Sequence, residues 1–182
     1  MTPASTAVRV WDLYVRVVHW TLAIAVLLAW ATREGWGLWH DWLGYAALAL
    51  TAARLPWGWF GPRHARFADF LYAPGHTLAY ARSFLKATAP RYLGHNPLGG
   101  WMIVALLAAV AATSATGWLY TTETYWGIEW VGTLHKWCAN VLLALAALHV
   151  AGIAVACFRH RENLVAAMIH GRKRTPGPND IV

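Results

Sequence analysis

The chain has 182 residues, of which 58% are apolar, 13% are charged and 13 are tryptophan. This composition excludes a polar disordered tail or a fibrous repeat and favours one compact domain. The formal net charge is +7, but apolar runs of bilayer length argue against a nucleic-acid-binding domain, so we expect no nucleic-acid partner. Cys138 and Cys157 lie about 28 Å apart on one predicted helix, which is too far for a disulfide.

Four apolar segments predict membrane-spanning helices, because each can cross a hydrocarbon core of about 30 Å. They lie at about 15–32, 39–59, 97–119 and 134–158. The second reaches spanning length only if Arg54 is tolerated near one end, where it could reach the interface or meet an anionic partner. The sequence therefore predicts an all-α integral membrane four-helix bundle, forming one transmembrane domain over residues 1–182.

The distribution of basic residues predicts the orientation of this bundle. An even number of spans places both termini on one side, together with the loop between the second and third spans. All but two of the 15 Lys and Arg residues fall on that side, leaving Arg33 and Lys136 opposite. By the positive-inside rule, the N and C termini are cytoplasmic, and the net charge reflects topology more than a polyanionic partner.

The long loop at 61–96 is predicted to lie at the cytoplasmic interface of the membrane. Its apolar residues recur at helical spacing on both sides of Pro74 and Gly75, beside several basic residues. This pattern predicts two short interfacial helices that contact membrane lipids. At the end of the loop, Asn96 is predicted to cap the third span and Pro97 to be its first residue.

Four histidines occur within or at the ends of the spans: His19, His40, His135 and His149. Intramembrane ionisable residues usually face a bundle interior or a cavity. A separation of 14 residues places His135 and His149 on one helix face, about 21 Å apart along the axis. The alternating helix directions then predict two pairs, His40 with His135 near the outer surface and His19 with His149 near the inner one. Bis-histidine ligation of two non-covalent haems fits these pairs.

The four histidines also fit roles that involve no haem. Each could be a hydrogen-bonded packing residue in a non-redox membrane anchor or metal transporter. A zinc or di-iron centre normally needs at least three converging protein ligands, whereas each level offers two imidazoles and no in-span Asp or Glu. Covalent c-type haem attachment is excluded, because no CxxCH motif occurs.

Further haem contacts follow from position relative to the histidines. Gly44 and Gly152 lie on the faces of His40 and His149, where either haem packing or helix contact would favour a small residue. Arg54 lies 14 residues after His40 and is predicted to pair with a propionate of the inner haem. Arg16 is a second candidate for such a pair, with a lipid phosphate as its alternative.

The chain resembles the prokaryotic cytochrome b-561 family, four-helix di-haem membrane cytochromes related to the b subunits of nickel-iron hydrogenases. The matching stretches run through nearly the whole chain in order: Val10-Trp11-Asp12, Arg16, His19-Trp20, His40-Asp41-Trp42-Leu43-Gly44-Tyr45, Arg54, Trp57-Gly58, Gly61-Pro62-Arg63-His64-Ala65-Arg66-Phe67, Tyr92-Leu93-Gly94-His95-Asn96-Pro97-Leu98-Gly99, His135, Ala139-Asn140, His149, Glu162-Asn163-Leu164, Met168 and Gly171-Arg172-Lys173-Arg174. The resemblance places the iron ligands of two haem b groups on His19, His40, His135 and His149.

The resemblance also implies a function and a location. Such proteins lie in the bacterial inner membrane and pass electrons between the quinone pool, ubiquinone or menaquinone, and a redox partner that is usually periplasmic. The short outer loops resemble a stand-alone branch whose partner is a c-type cytochrome. His95 is then expected at the inner surface, bonded to a quinone carbonyl, to a haem propionate or to neither.

An alternative from another class is superoxide:ubiquinone oxidoreductase activity without a protein partner, with Lys136 and Arg33 attracting the anion. The weakly acidic outer side opposes it. No residue is assigned a catalytic role on either hypothesis.

Overall fold

The structure is a computed structural model that describes residues 7–34 and 37–182. In chain order its elements are β1 (Ala7–Arg9), α1 (Leu13–Ala31), α2 (Gly37–Phe60), α3 (Phe67–Phe70), α4 (Pro74–Leu85), α5 (Pro97–Tyr120), α6 (Glu129–His160), α7 (Leu164–His170) and β2 (Arg172–Arg174). The four predicted apolar segments correspond to α1, α2, α5 and α6. The described chain is therefore mostly helical, as predicted.

Three of these helices are long and apolar enough to cross a membrane by length and composition: α1, α5 and α6. The fourth, α2, has 24 residues and so is long enough, but Asp41, Arg54 and Pro56 reduce its apolar character. An apolar surface on all sides of a helix suits a lipid environment. Large side chains on α1 and α6 are accordingly exposed, including Leu27 at 61%, Trp137 at 66% and Phe158 at 86%.

The described residues form two compact units, and each is considered by itself. The first unit comprises Val17–Pro56 and Val104–Leu148. Its core is a cluster to which each long helix contributes one buried residue: Ala25, Ala47, Val110 and Leu142. Because two of these residues are alanines, the backbones of α1 and α2 can approach their neighbours closely.

The second unit comprises the described part of Met1–Arg16 together with Trp57–Ile103 and His149–Val182. It departs from the all-α prediction in an antiparallel pair of β1 with β2, in which Val8 lies opposite Lys173, and in an isolated parallel bridge between Tyr92 and Ile181. The Arg-Lys-Arg sequence of β2 has no apolar alternation, so no strand was predicted there. The pair is anchored where the backbone nitrogens of Val10 and Trp11 both donate to the Gly171 carbonyl.

The loop at 61–96 contains the two predicted short helices, α3 and α4. Pro74 is the first residue of α4 rather than part of the break, consistent with the preference of proline for the first helical turn. The predicted cap of α5 is confirmed, because the Gly99 nitrogen donates to Asn96 Oδ1 at 2.8 Å. Gly58 leaves room for the Phe67 ring at the start of α3, since a Cβ at position 58 would lie 2.0 Å from that ring.

A buried ion-pair network fastens the C-terminal segment of the second unit. The Arg91 side chain is 4% exposed and contacts Glu162 at 2.7 Å. It also forms an ion pair with Asp180. The backbone continues this attachment, because the Leu93 nitrogen donates to the Ile181 carbonyl at 2.8 Å. One guanidinium therefore joins three segments that are distant in sequence.

We predict that Arg91→Gln destabilises the second unit and releases its C-terminal segment. Removing one partner of a buried ion pair typically costs about 3–5 kcal/mol, because the remaining charges stay buried without compensation. The variant should melt at a lower temperature and be cleaved earlier by protease after residue 174. Arg82→Gln, on the exposed side of α4, is the matched control. Equal melting and cleavage in both variants would contradict the role of Arg91.

We also predict that acid removes this stabilisation. Burial raises the carboxyl pKa of Glu162, but hydrogen bonds from Arg91 and the Arg174 backbone outweigh it, so the pKa lies below its usual value. Stability from a lowered pKa is complete above the ordinary carboxyl pKa and is lost as pH falls through the lowered value. At pH values below about 4.5, the melting temperature of the wild type should therefore decrease, while that of Arg91→Gln should change less. If the melting temperatures of the two proteins decreased equally as the pH falls, the proposed link between Glu162 protonation and stability would be refuted.

Candidate functional site

The rings of His40 and His135, the predicted outer pair, lie next to each other in the first unit. Their ring centroids lie 6.0 Å apart and the ring planes cross at 87°. A metal ion bonded to one nitrogen of each ring at about 2 Å would place the centroids about 6 Å apart. The two side chains are therefore spaced as axial ligands of a single iron would be.

The second nitrogen of each ring contacts a backbone carbonyl. His40 Nδ1 lies 2.8 Å from the Ala29 carbonyl oxygen, and His135 Nδ1 lies 3.0 Å from that of Thr113. Because a carbonyl only accepts, each Nδ1 must be the protonated donor, which leaves the lone pair on Nε2. Metal-binding histidines usually have such a partner, because it fixes the tautomer and the ring orientation.

The two carbonyls differ in their place in the helices. Ala29 lies in the last turn of α1, where carbonyls lack intrahelical N–H partners, and its carbonyl oxygen accepts from Thr32 Oγ1 at 3.3 Å as well as from His40. Thr113 lies inside α5, where its carbonyl also accepts from Thr116 Oγ1 at 2.9 Å. Both histidines are thus held by backbone atoms of neighbouring helices.

Gly117 provides the space for the His135 ring. A Cβ at this position would lie 3.0 Å from His135 Cε1 and 3.2 Å from Nδ1. Near the same end of α5, the hydroxyls of Tyr45 and Thr121 are 2.9 Å apart and connect α2 to the residues that follow α5. Sequence reasoning missed Gly117 and both carbonyls, because a backbone acceptor leaves no signal in the sequence.

His19 and His149, the predicted inner pair, are both half-buried. His19 lies on α1 in the first unit and packs edge-on against Trp20, with centroids 5.1 Å apart. His149 lies on α6 at the start of a segment that belongs to the second unit. Their pairing therefore stays a prediction.

The remaining predicted haem contacts occupy different environments. Arg54 is buried in α2 with 6% of its surface exposed. A Cβ at Gly44 or Gly152 would have no atom of the described residues within 4 Å, so close helix contact does not explain either glycine. Pairing of Arg54 with a propionate and haem packing at the two glycines stay predictions.

Arg16 and His95 lie in the second unit and have protein partners. The Arg16 guanidinium donates to the Ile169 carbonyl, which ties α1 to α7. The His95 ring packs against Trp11, with centroids 4.4 Å apart, and against Phe70 at 5.0 Å. Roles for Arg16 toward a propionate or a lipid phosphate, and for His95 toward quinone or propionate, remain predictions.

The donor set fits a porphyrin better than a metal ion held by protein alone. Within residues 7–34 and 37–182, no three His, Cys, Asp or Glu side chains converge as metal ligands. Two imidazoles complete a six-coordinate iron only if a planar macrocycle supplies the other four nitrogens. The geometry of His40 and His135 therefore fits haem.

Comparison with known proteins agrees with this donor chemistry. The sequence model of a family described as prokaryotic cytochrome b561 matches residues 10–171. The chain belongs to the prokaryotic cytochrome b561 family. As a b-type cytochrome of this family, it is a haem-binding membrane protein that functions in electron transport, and the resemblance found from the sequence is confirmed.

Two relatives with curated names are similar at low identity. A probable Ni/Fe-hydrogenase B-type cytochrome subunit of Azotobacter vinelandii is 26% identical over 162 residues, covering 72% of this chain and 67% of the relative. The protein of the same name from Azotobacter chroococcum mcd 1 is 25% identical with the same coverage. Both are named as B-type cytochrome subunits of a Ni/Fe hydrogenase.

We predict that Gly117→Ala disturbs the His135 ligand while leaving the fold intact. The added methyl would overlap the imidazole edge, which must turn away, and overpacking of this kind costs about 1–3 kcal/mol. Electron paramagnetic resonance of the oxidised protein should show a shifted or weakened low-spin haem signal. Gly75→Ala, which meets no described atom within 4 Å, is the control. Unchanged spectra in Gly117→Ala would show that the His135 ring accommodates the added methyl group, and would contradict this prediction.

Proposed function

We propose that the protein is a di-haem membrane cytochrome that transfers electrons between a periplasmic redox partner and the quinone pool. The observation that carries this proposal is the pairing of His40 with His135, whose Nδ1 atoms both donate to carbonyls. Haem bound there would supply one-electron chemistry. The protein residues supply its axial nitrogens and hold them in a fixed tautomer.

His19 and His149 are proposed as the axial ligands of the second haem. Support comes from helix geometry, because His149 follows His135 by 14 residues and falls on the same face about 21 Å along α6. Arg54 is buried on α2, 14 residues after His40, and we propose that it lies near a propionate of this haem. A cation at this place raises the reduction potential of the inner haem unless the propionate charge compensates it.

The proposed membrane arrangement is a four-helix bundle in the bacterial inner membrane with cytoplasmic termini. The shared core of Ala25, Ala47, Val110 and Leu142 supports the inclusion of α2 beside the three clearly apolar helices. Arg54 is compatible with this arrangement because its side chain is buried away from lipid. The distribution of Lys and Arg supports the orientation.

The partners follow from the family and the relatives. The Azotobacter proteins are named as subunits of Ni/Fe hydrogenases, which indicates a redox enzyme or carrier as electron partner. For this chain we propose a c-type cytochrome or a dehydrogenase on the periplasmic side. Ubiquinone or menaquinone is the proposed partner within the lipid phase.

We predict that the purified protein contains two haem b groups per chain by pyridine haemochrome assay. His40→Ala and His135→Ala should lose the same spectral component, because they remove ligands of one iron. His149→Ala and His19→Ala should each lose the other component. His170→Ala, exposed on α7, serves as control and should keep both haems. Two haems retained in His149→Ala, or one haem in the wild type, would refute the pairing.

We further predict that the protein in liposomes passes electrons from a reduced c-type cytochrome to decylubiquinone or menadione. His40→Ala should slow this reaction at least about tenfold, because one haem of the path is removed. A parallel assay with superoxide as the electron donor, and no donor protein, tests the alternative superoxide:ubiquinone oxidoreductase activity. Rapid reduction by superoxide with none by cytochrome would replace the first function by the second. Absence of quinone reduction with either donor would overturn the quinone assignment.

A further inference from the structure

A small polar cavity lies in the second unit. Its volume is about 70 Å³, which holds a few water molecules but not a quinone ring with its substituents. Its polar walls are two histidines, two tyrosines, an arginine and an aspartate: His64, His95, Tyr72, Tyr92, Arg63 and Asp69. Packing of apolar side chains alone would not bring so many titratable groups to one cavity.

His64 is held at this cavity by unusual backbone geometry. Its φ is +71°, a left-handed conformation that is uncommon for residues other than glycine and often occurs at functional sites. The neighbouring Gly94 makes room for the ring, since a Cβ there would lie 2.8 Å from His64 Nδ1. The left-handed backbone conformation of His64 therefore places its imidazole beside the cavity.

His64 is surrounded by groups that keep it neutral. Burial lowers the pKa of its imidazole, and the charge of Arg63 and the more weakly acting Lys173 lower it further, while Asp69 opposes them. Tyr72, Tyr92 and His95 line the same cavity. A neutral imidazole can accept a proton on one nitrogen and release another from the second.

A hydrogen-bonded pair leads from the protein surface to the cavity. Tyr92 is 7% exposed and lines the cavity, while its hydroxyl lies 3.2 Å from Nε2 of the exposed His76. Stacking on Tyr72, at 4.9 Å between ring centroids, holds the His76 ring in place. Burial raises the pKa of Tyr92, which keeps it a neutral phenol able both to donate and to accept.

We propose that this cavity is a proton-transfer site, which takes protons from the adjacent aqueous phase through His76 and Tyr92 and passes them through His64 and His95 to a quinone. The proposal rests on the proposed function. Reduction of one quinone consumes two electrons and two protons. The periplasmic redox partner supplies the electrons one at a time through the haems. The cavity supplies the protons, which form an O–H bond at each former carbonyl oxygen.

The first test compares haem oxidation by decylubiquinone in the wild type and in cavity variants by stopped flow. His64→Gln and Tyr92→Phe should each slow the reaction at least about tenfold and raise the solvent deuterium isotope effect, because proton delivery becomes limiting. Added imidazole should restore part of the His64→Gln rate. His170→Gln, exposed and outside the cavity, is the control and should match the wild type.

The second test does not depend on turnover. Nitrogen-15 histidine resonances of the fully reduced, diamagnetic protein should show His64 exchanging protons with bulk water and titrating below the usual histidine range. In Tyr92→Phe this exchange should slow, while that of the exposed His170 stays unchanged. A structural role for Tyr92 would leave the exchange rate of His64 unaffected.

The outcomes separate this proposal from the one on which it rests. If the wild type reduces decylubiquinone and both cavity variants keep its rate and its isotope effect, the proton-transfer site is refuted and the function stands. If the wild type reduces no quinone, both proposals fall together. A slowed reaction with a raised isotope effect in both variants, and not in His170→Gln, supports the site.

Discussion

The pairing of imidazole N–H groups with helix carbonyls is the interaction on which the candidate site depends. In a low-dielectric interior a polar N–H without an acceptor is costly, so each ring must turn its Nδ1 toward a carbonyl. Ala29 and Thr113 supply these carbonyls to His40 and His135. The same bonds leave the lone pair of each ring on Nε2. The contacts that satisfy the two N–H groups are therefore the same contacts that would hold both rings in the tautomer needed by the haem that we propose.

Several of the basic residues from which the sequence predicts the membrane orientation also hold the second unit together. Arg16 and Arg159 donate to the carbonyls of Ile169 and Phe84. Lys173 is buried, with its ammonium 5.3 Å from the centre of the Trp11 ring and near the Tyr92 and Gly94 carbonyls. These cations join segments far apart in sequence. The same side chains therefore produce the asymmetric distribution of positive charge and the tertiary contacts of the second unit.

The sequence was sufficient for features that depend on local pattern. Charge-free runs located α5 and α6, Asn96 and Pro97 located a helix start, and a spacing of 14 residues related His135 to His149. It was insufficient where partners are distant. Arg91 lies 71 residues from Glu162, and the β1 pairing with β2 depends on backbone atoms. Gly117 likewise matters only because α6 brings a ring against it, which no local pattern encodes.

The separation of the histidines into two environments follows from the chemistry that we propose. An electron added inside a membrane is stabilised when a compensating proton arrives close by, because Coulomb interactions are strong at low dielectric. If His40 and His135 bind iron as we propose, they cannot carry that proton, since one nitrogen of each ring would bind iron and the other donates to a carbonyl. A second set of titratable groups is needed where water has access. His64 and His95 line a polar cavity beside the exposed His76 and its partner Tyr92, which is the kind of place where such groups can exchange protons.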